Sequence, residues 1–250
     1  RPAASREFVR DILALADSYD EPLPNSILRR LIIIRIGLTT VSACVTNTTT
    51  KTDLEAWLEV VPRPEMLEGA FQKSFRGEVA SVAQLMNEPL WVPLDYPKDS
   101  GPLGSAEPYR KLVVATSLRH LLQVAELSRK PSIEACHEIV AWSIKFDSRK
   151  RDSSDILSAS TFPPIVKGID AQVRLQGMMA VFRAGLACEL ERSTRGRYPE
   201  TVDAIDPLTK KALLLDKVGG RVYSAGLPDK TGNQLEGIIL DWKFRIRPSK

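Results

Sequence analysis

From Ile169 to about Ser193 apolar side chains recur at steps of three and four, at Leu175, Met178, Met179, Phe182, Leu186 and Leu190. That spacing returns to one side of an α-helix at every turn, and a strand, with its period of two, would scatter it over both faces. A helix with so long an apolar side needs other elements to cover it, so this segment predicts a helix-built core. Arg174, Arg183 and Glu191 are expected on its outer side. Gly196 fits the left-handed position that ends a helix, and Pro199 follows where a helix cannot continue.

The chain before this helix carries the same period. Glu7 to Tyr19 reads as a helix whose stripe is Phe8, Ile12, Leu13 and Leu15, closed by Pro22 and Pro24. Asn25-Ser26 offers a cap for a second helix running to about Val45. Ile32-Ile33-Ile34 and Ile36 alone would suit a strand, but the length and the Arg29, Arg30 and Arg35 spacing favour helix. Thr52-Asp53 is expected to cap a short helix through Val60. A further helix over Glu65 to Met86 shows Leu67, Phe71, Phe75, Val79, Val82 and Met86 as its stripe. Two more are expected over Tyr109 to Ser128 (Val114, Leu118, Leu121, Leu122 and Ala125 inward) and Pro131 to Phe146 (Ile133, Ile139, Val140 and Trp142 inward). Asn87 to Pro108, with five prolines and two glycines, reads as a long irregular connection, and Asp147 to Ser160 as a polar connector.

Beyond Gly196 short apolar runs, 212–215, 221–225 and 237–244, are separated by Asp206-Pro207, Gly219-Gly220 and Asp229 to Gly232. Runs of that length between turn residues predict a small antiparallel sheet of about three strands. Three short strands do not stand alone, so the sheet should pack on the long helix before it. The expected fold is therefore mainly α, with about six or seven helices and a small C-terminal antiparallel β-sheet packed on the last long helix. Residues 1–195 form the helical domain, and 196–250 a β-rich segment not independent of it.

Chemistry is sparse. The sequence holds no Walker loop, no GxGxxG, no HExxH and no GxSxG. Two histidines, His120 and His137, exclude a site of three histidines from one chain. Glu134-x-x-His137 has the spacing of a di-iron bundle ligand pair, but no second copy follows, so a surface pair is the simpler reading. His120 reads as a residue at the edge of an apolar face. Asp152 and Asp155 lack the glycine and distal glutamate of a calcium loop and read as solvated linker. A net charge of +4, spread along the chain, with 6% aromatic residues, argues against nucleic-acid binding. The basic clusters at Lys145 to Arg151 and Lys243 to Lys250 read as solvated charge. Cys44, Cys136 and Cys188 form no CxxC pair, and their odd number excludes a fully paired framework while leaving one bridge possible. Leu31 to Val45 is the most apolar run, yet Arg35 interrupts it and it is too short to span a bilayer. The chain opens on Arg1-Pro2 without Met, so a membrane anchor or signal segment upstream is an expectation.

Arg195-Gly196-Arg197-Tyr198-Pro199, then Asp206-Pro207-Leu208-Thr209, Tyr223-Ser224-Ala225-Gly226, Asp229 and Asp241-Trp242 resemble the C-terminal segment of type II secretion pseudopilins. The helical part, with Leu54 to Val60 and Phe75-Arg76-Gly77-Glu78, is similar to a broad group of bacterial cell-envelope proteins that carry such a tail. The pseudopilin resemblance implies a calcium site with Ser224, Asp229 and Asp241 as oxygen donors. The loop here is one residue longer, however, and Lys230 and Lys210 stand where glycine is usual, so a metal-free hairpin is the alternative. What the resemblance implies for function is a non-enzymatic cell-envelope or secreted protein, on the periplasmic or extracellular side, acting through a protein partner and without a cofactor. The alternative is a hydrolase whose carboxylates gather under the 87–108 loop.

Overall fold

A computed structural model describes residues 2–19, 24–46, 48–84, 107–148, 155–225 and 241–243. Among these residues the chain forms seven α-helices: α1 (Pro2–Asp17), α2 (Pro24–Cys44), α3 (Lys51–Val60), α4 (Ala70–Gln84), α5 (Glu107–Leu127), α6 (Ser132–Ser148) and α7 (Ile156–Arg195). A 3-10 turn covers Pro64–Leu67, and three strands follow, β1 (Leu214–Asp216), β2 (Arg221–Tyr223) and β3 (Asp241–Lys243). The expected mainly helical fold with a small antiparallel sheet on the last long helix is what the structure has. Of the expected loop at 87–108, residues 87–106 lie outside the described residues, as do 149–154 of the 147–160 connector. Glu107 and Pro108 instead open α5, Asp147 and Ser148 end α6, and 156–160 begin α7.

The chain divides into two compact units. The first comprises Arg1–Asp20, Arg29–Glu68 and Ala171–Lys250; the second comprises Glu21–Leu28 and Gly69–Asp170. Helices α2 and α7 each contribute residues to both. In the first unit α2 buries Leu31, Ile34, Leu38 and Val41 at alternating steps of three and four, and Val45 is buried just past its end, so the β-branched run folds as helix. Its exposed counterparts are Ile32 and Ile36. Helix α1 differs from its predicted stripe, because Phe8 and Leu15 are exposed while Val9 and Ala16 are buried. The apolar arc of α1 is broader than one contact face, and Ile12 and Leu13 pack where α2 narrows to Gly37.

Helix boundaries moved for local reasons. Thr50, not Thr52, caps α3: its hydroxyl accepts from the Asp53 backbone N–H at 3.2 Å and donates to the Asp53 carboxylate at 2.7 Å. The helix expected over Glu65 to Met86 is two pieces, since Gly69 at φ +73° interrupts it before α4 begins. Helix α7 starts thirteen residues earlier than the expected Ile169 and runs through Pro163-Pro164. A proline inside a helix loses a hydrogen bond and costs about 3 kcal/mol, but Phe162, Ile165 and Ile169 are buried on either side and hold the turn in place.

The sheet order is β1-β2-β3, with Leu215 opposite Val222 and Val222 opposite Trp242. Trp242 lies over Gly185 of α7 and meets Phe182 edge-on at 5.2 Å. The second unit is built from α4, α5, α6 and the start of α7. Its core includes Phe71, Phe75, Val113, Leu121, Ile139, Phe146 and Phe162.

Candidate functional site

Of the three residues that the tail resemblance assigns to calcium, Ser224 is buried and donates its hydroxyl to Asp206 Oδ2 at 2.8 Å. Asp229 lies outside the described residues. Asp241 sits in β3 opposite Tyr223, on the more open side of the sheet, whereas Ser224 continues the alternation on the side of Val222. Ser224 and Asp241 are thus not brought together. Asp206 itself is 1% exposed, and its carboxylate also accepts from the Leu208 N–H (2.9 Å) and the Thr209 hydroxyl (3.0 Å). Three donors converge on this anion and replace the water it lost, which fixes the Asp206 to Lys211 turn. The other tail motif residues also pin the segment to α7. The Tyr198 hydroxyl donates to Glu189 at 3.1 Å, beside Arg192 at the same distance, and Glu189 is buried.

His120 is buried rather than at an edge. Its Nδ1 lies 2.9 Å from the Ser158 hydroxyl and 4.0 Å from Asp155 Oδ1, and Phe146, Phe162 and Trp142 surround the ring. Asp155 is likewise buried, not solvated linker. A serine, a histidine and an aspartate of this kind suggest a relay, but a relay needs the serine and the acid on opposite ring nitrogens. Here both approach Nδ1, so the trio works as a polar knot in an aromatic core. Glu134 and His137 are exposed on α6. Among the described residues no group of three or more His, Cys, Asp or Glu could hold a metal ion, and the carboxylate site expected under 87–108 falls on residues outside them. Cys44, Cys136 and Cys188 form no disulfide.

The arrangement that sequence reasoning missed lies on α7 in the first unit. Segment 58–68 ends α3, and it includes Pro62 and Pro64, which have no N–H. Its carbonyls therefore outnumber the donors nearby, and the end of α3 adds its own orphan carbonyls. Helix α7 supplies the missing donors. Gln172 donates to Leu67 O (2.8 Å), Gln176 to Pro64 O (3.2 Å), and Arg183 Nη1 to both Leu58 O (2.9 Å) and Val61 O (2.5 Å). These side chains fall within roughly 40° of one another around the helix axis. Arg183, expected to face outward, is instead half-buried against the C-terminus of α3, where a cation also meets the negative end of the helix dipole. Burial depresses its pKa first and the charge of Arg63 second, with Glu65 opposing; an arginine so shifted stays protonated at neutral pH.

Arg183, the last member of this ladder, also lines a cleft of about 830 Å³. Arg10, Leu13, Ala14 and Asp17 reach it from one side of α1, at the i, i+3, i+4 and i+7 positions that a helix superimposes. Ile34, the segment from Leu58 to Arg63, Met66 and Arg183 complete the lining. Its volume lies within the range of ligand-binding clefts. Asp17 accepts a hydrogen bond from Arg30 at 2.9 Å. Among the described residues Arg10 and Arg63 make no hydrogen bond or ion pair, and Arg183 uses only Nη1. Of the lining charges, three guanidinium groups thus face one carboxylate without a partner, Glu59.

No protein-family model, curated protein or solved structure matches the chain. Among the described residues no helix is long and apolar enough to cross a membrane.

Proposed function

We propose that this protein is a non-enzymatic component of the bacterial cell envelope that works by binding another protein, and that the cleft of the first unit holds a segment of that partner. The observation that carries the reading is the composition of the cleft: partly open Leu13 and Leu58, a half-exposed Met66, and three arginines that keep donors without a partner among the described residues. Apolar surface supplies binding energy, a methionine adapts to different partners, and a few placed charges fix orientation. The pseudopilin-like tail supports the envelope assignment.

The test is selection of a displayed random-peptide library on the purified chain, followed by fluorescence anisotropy with the enriched peptides. Ala14 is exposed on α1 and can be enlarged without disturbing the core, so Ala14→Trp blocks the cleft, and Met66→Asp makes its rim polar. Peptides bound at micromolar Kd, about 8 kcal/mol, should lose tenfold or more against either variant. No enrichment, or binding indifferent to both variants, would overturn the reading. Fractionation of the native gene product in its host tests the location: recovery with cytoplasmic markers alone would exclude the envelope.

A further inference from the structure

The arginines of the cleft are not equivalent. Arg183 is held in place, because both hydrogens of Nη1 are committed to backbone carbonyls at Leu58 and Val61. A guanidinium is planar, so anchoring one nitrogen orients the whole group. What remains is the edge formed by Nε and Nη2, whose two parallel N–H bonds match the two oxygens of a carboxylate. That edge donates to nothing among the described residues, its atoms are not fully buried, and Arg183 lines the cleft. Arg63 stands two residues beyond Val61, whose carbonyl Arg183 holds, and it lines the same cleft. It is exposed and also makes no ion pair. Two like charges are thus gathered on one wall, one fixed by the backbone and one free to swing, with Leu13 and the half-exposed Met66 in the same cleft. Repulsion between them is relieved when an anion arrives.

We propose that the cleft recognises a carboxylate next to an apolar side chain, with the carboxylate seated on the Nε–Nη2 edge of Arg183 and closed over by Arg63. This rests on the reading of the cleft as a peptide-binding site and names its ligand chemistry. The carboxylate can come from an acidic side chain or from a free chain terminus, and the probes separate the two.

Three hexapeptides, labelled at the N-terminus, serve as probes. The first is Gly-Leu-Leu-Glu-Leu-Gly with an amidated C-terminus. The second is its glutamine counterpart, also amidated. The third is the glutamine peptide with a free C-terminus. Binding to the whole chain is read by anisotropy at low and high salt. One charge-assisted hydrogen-bond pair is expected to favour a carboxylate probe over the neutral one by tenfold or more, and the preference should shrink with salt because Arg63 is exposed. Arg63→Gln should weaken the preference several-fold while Arg119→Gln, an exposed arginine of α5, keeps it unchanged. Arg183→Gln gives up the carbonyl contacts as well, so Arg183→Lys, which keeps a charge near them, tests the edge itself and should lose the preference. Preference for the glutamate peptide assigns a side chain, and preference for the free-terminus peptide assigns a chain end.

Equal binding of all three probes would overturn the carboxylate assignment and leave the peptide-binding reading standing. A preference undiminished by Arg63→Gln, or kept by Arg183→Lys, would overturn it too. If none of the probes binds, the carboxylate assignment falls, and the library selection decides separately whether the cleft binds peptides at all.

Discussion

Replacing Gly185 with alanine tests the seat of the sheet on α7, and the two effects of that change oppose each other. In a helix interior Gly→Ala is favourable by about 1 kcal/mol, because alanine loses less backbone entropy. At Gly185, however, the new Cβ would fall among Cγ, Cδ1 and Cδ2 of Trp242, closer than non-bonded carbons approach. The ring has to leave its place. Trp242 is 1% exposed, and a buried tryptophan covers on the order of 200 Å², or about 5 kcal/mol at 25 cal/mol per Å² as an upper bound. Returning about half of that surface to water costs roughly 2–3 kcal/mol, and strain adds about 1 more, in line with overpacked cores. Net destabilisation of about 2–3 kcal/mol is expected, read as a lower urea midpoint at unchanged slope by circular dichroism. The second half of the cycle is sharper. Trp242→Ala alone should cost about 3–5 kcal/mol. In that background Gly185→Ala meets no ring, so the helix preference alone remains and the substitution should become stabilising by up to about 1 kcal/mol. A change of sign between the two backgrounds is a coupling of neighbours that distant sites do not show. The same effect in both backgrounds, or a stabilising Gly185→Ala in the parent chain, would refute the packing of Trp242 on Gly185.

Two further outcomes follow from buried titratable groups. Burial raises the pKa of the Glu78 carboxyl, which borders the small apolar cavity of Phe71, Phe75 and Ile165; the folded state therefore holds its proton better than the unfolded one. Its contribution is fully present below the unfolded value of about 4.3 and is lost as pH rises through the higher folded value, so Glu78→Gln should stabilise the chain at pH 7 and leave it nearly unchanged at pH 4. Equal effects at both pH values in urea titrations would contradict this. The Cys188 thiol is pushed up to about 12 by burial, with Glu191 and Glu189 adding to it, so at pH 8 only about one molecule in ten thousand carries the reactive thiolate. With Ellman's reagent the half-buried Cys44 should react in the native chain and Cys136 and Cys188 only after denaturation; rapid native reaction of three thiols would refute the burial.

What was legible in the sequence was what depends on a period. The helical state of α2, the length of α6, the Gly196 terminus (whose N–H reaches Arg192 O at 2.8 Å) and the three short strands could all be read from length, spacing and turn residues. What failed to show depends on partners distant in sequence. The long helix was expected from Ile169, yet α7 runs through Pro163-Pro164, where the burial of Phe162 and Ile165 overrides the local preference. His120 and Asp155 looked like edge and linker because each is polar; they are buried because each meets the other's surroundings across 35 residues of chain. Arg183 is the instructive case. On the helical wheel it flanks an apolar arc and reads as solvated, and its role becomes visible only beside a segment that Pro62 and Pro64 have stripped of donors. The signal was nonetheless present in two halves: a donor-poor segment just after α3, and Gln172, Gln176 and Arg183 on one side of the longest helix. A run of unmatched carbonyls requires donors from somewhere, so pairing donor-poor loops with polar residues that share one side of a core helix should locate such ladders in other chains. Here that ladder leaves one guanidinium edge over. The same residue therefore belongs to the fold through Nη1 and to the proposed recognition through Nε and Nη2, and Arg183→Lys separates the two. A lysine places one charge near the Leu58 and Val61 carbonyls but has no second edge, so folding should be largely kept while the preference for a carboxylate peptide is lost. Retention of both would show that charge alone, and not the oriented edge, selects the ligand.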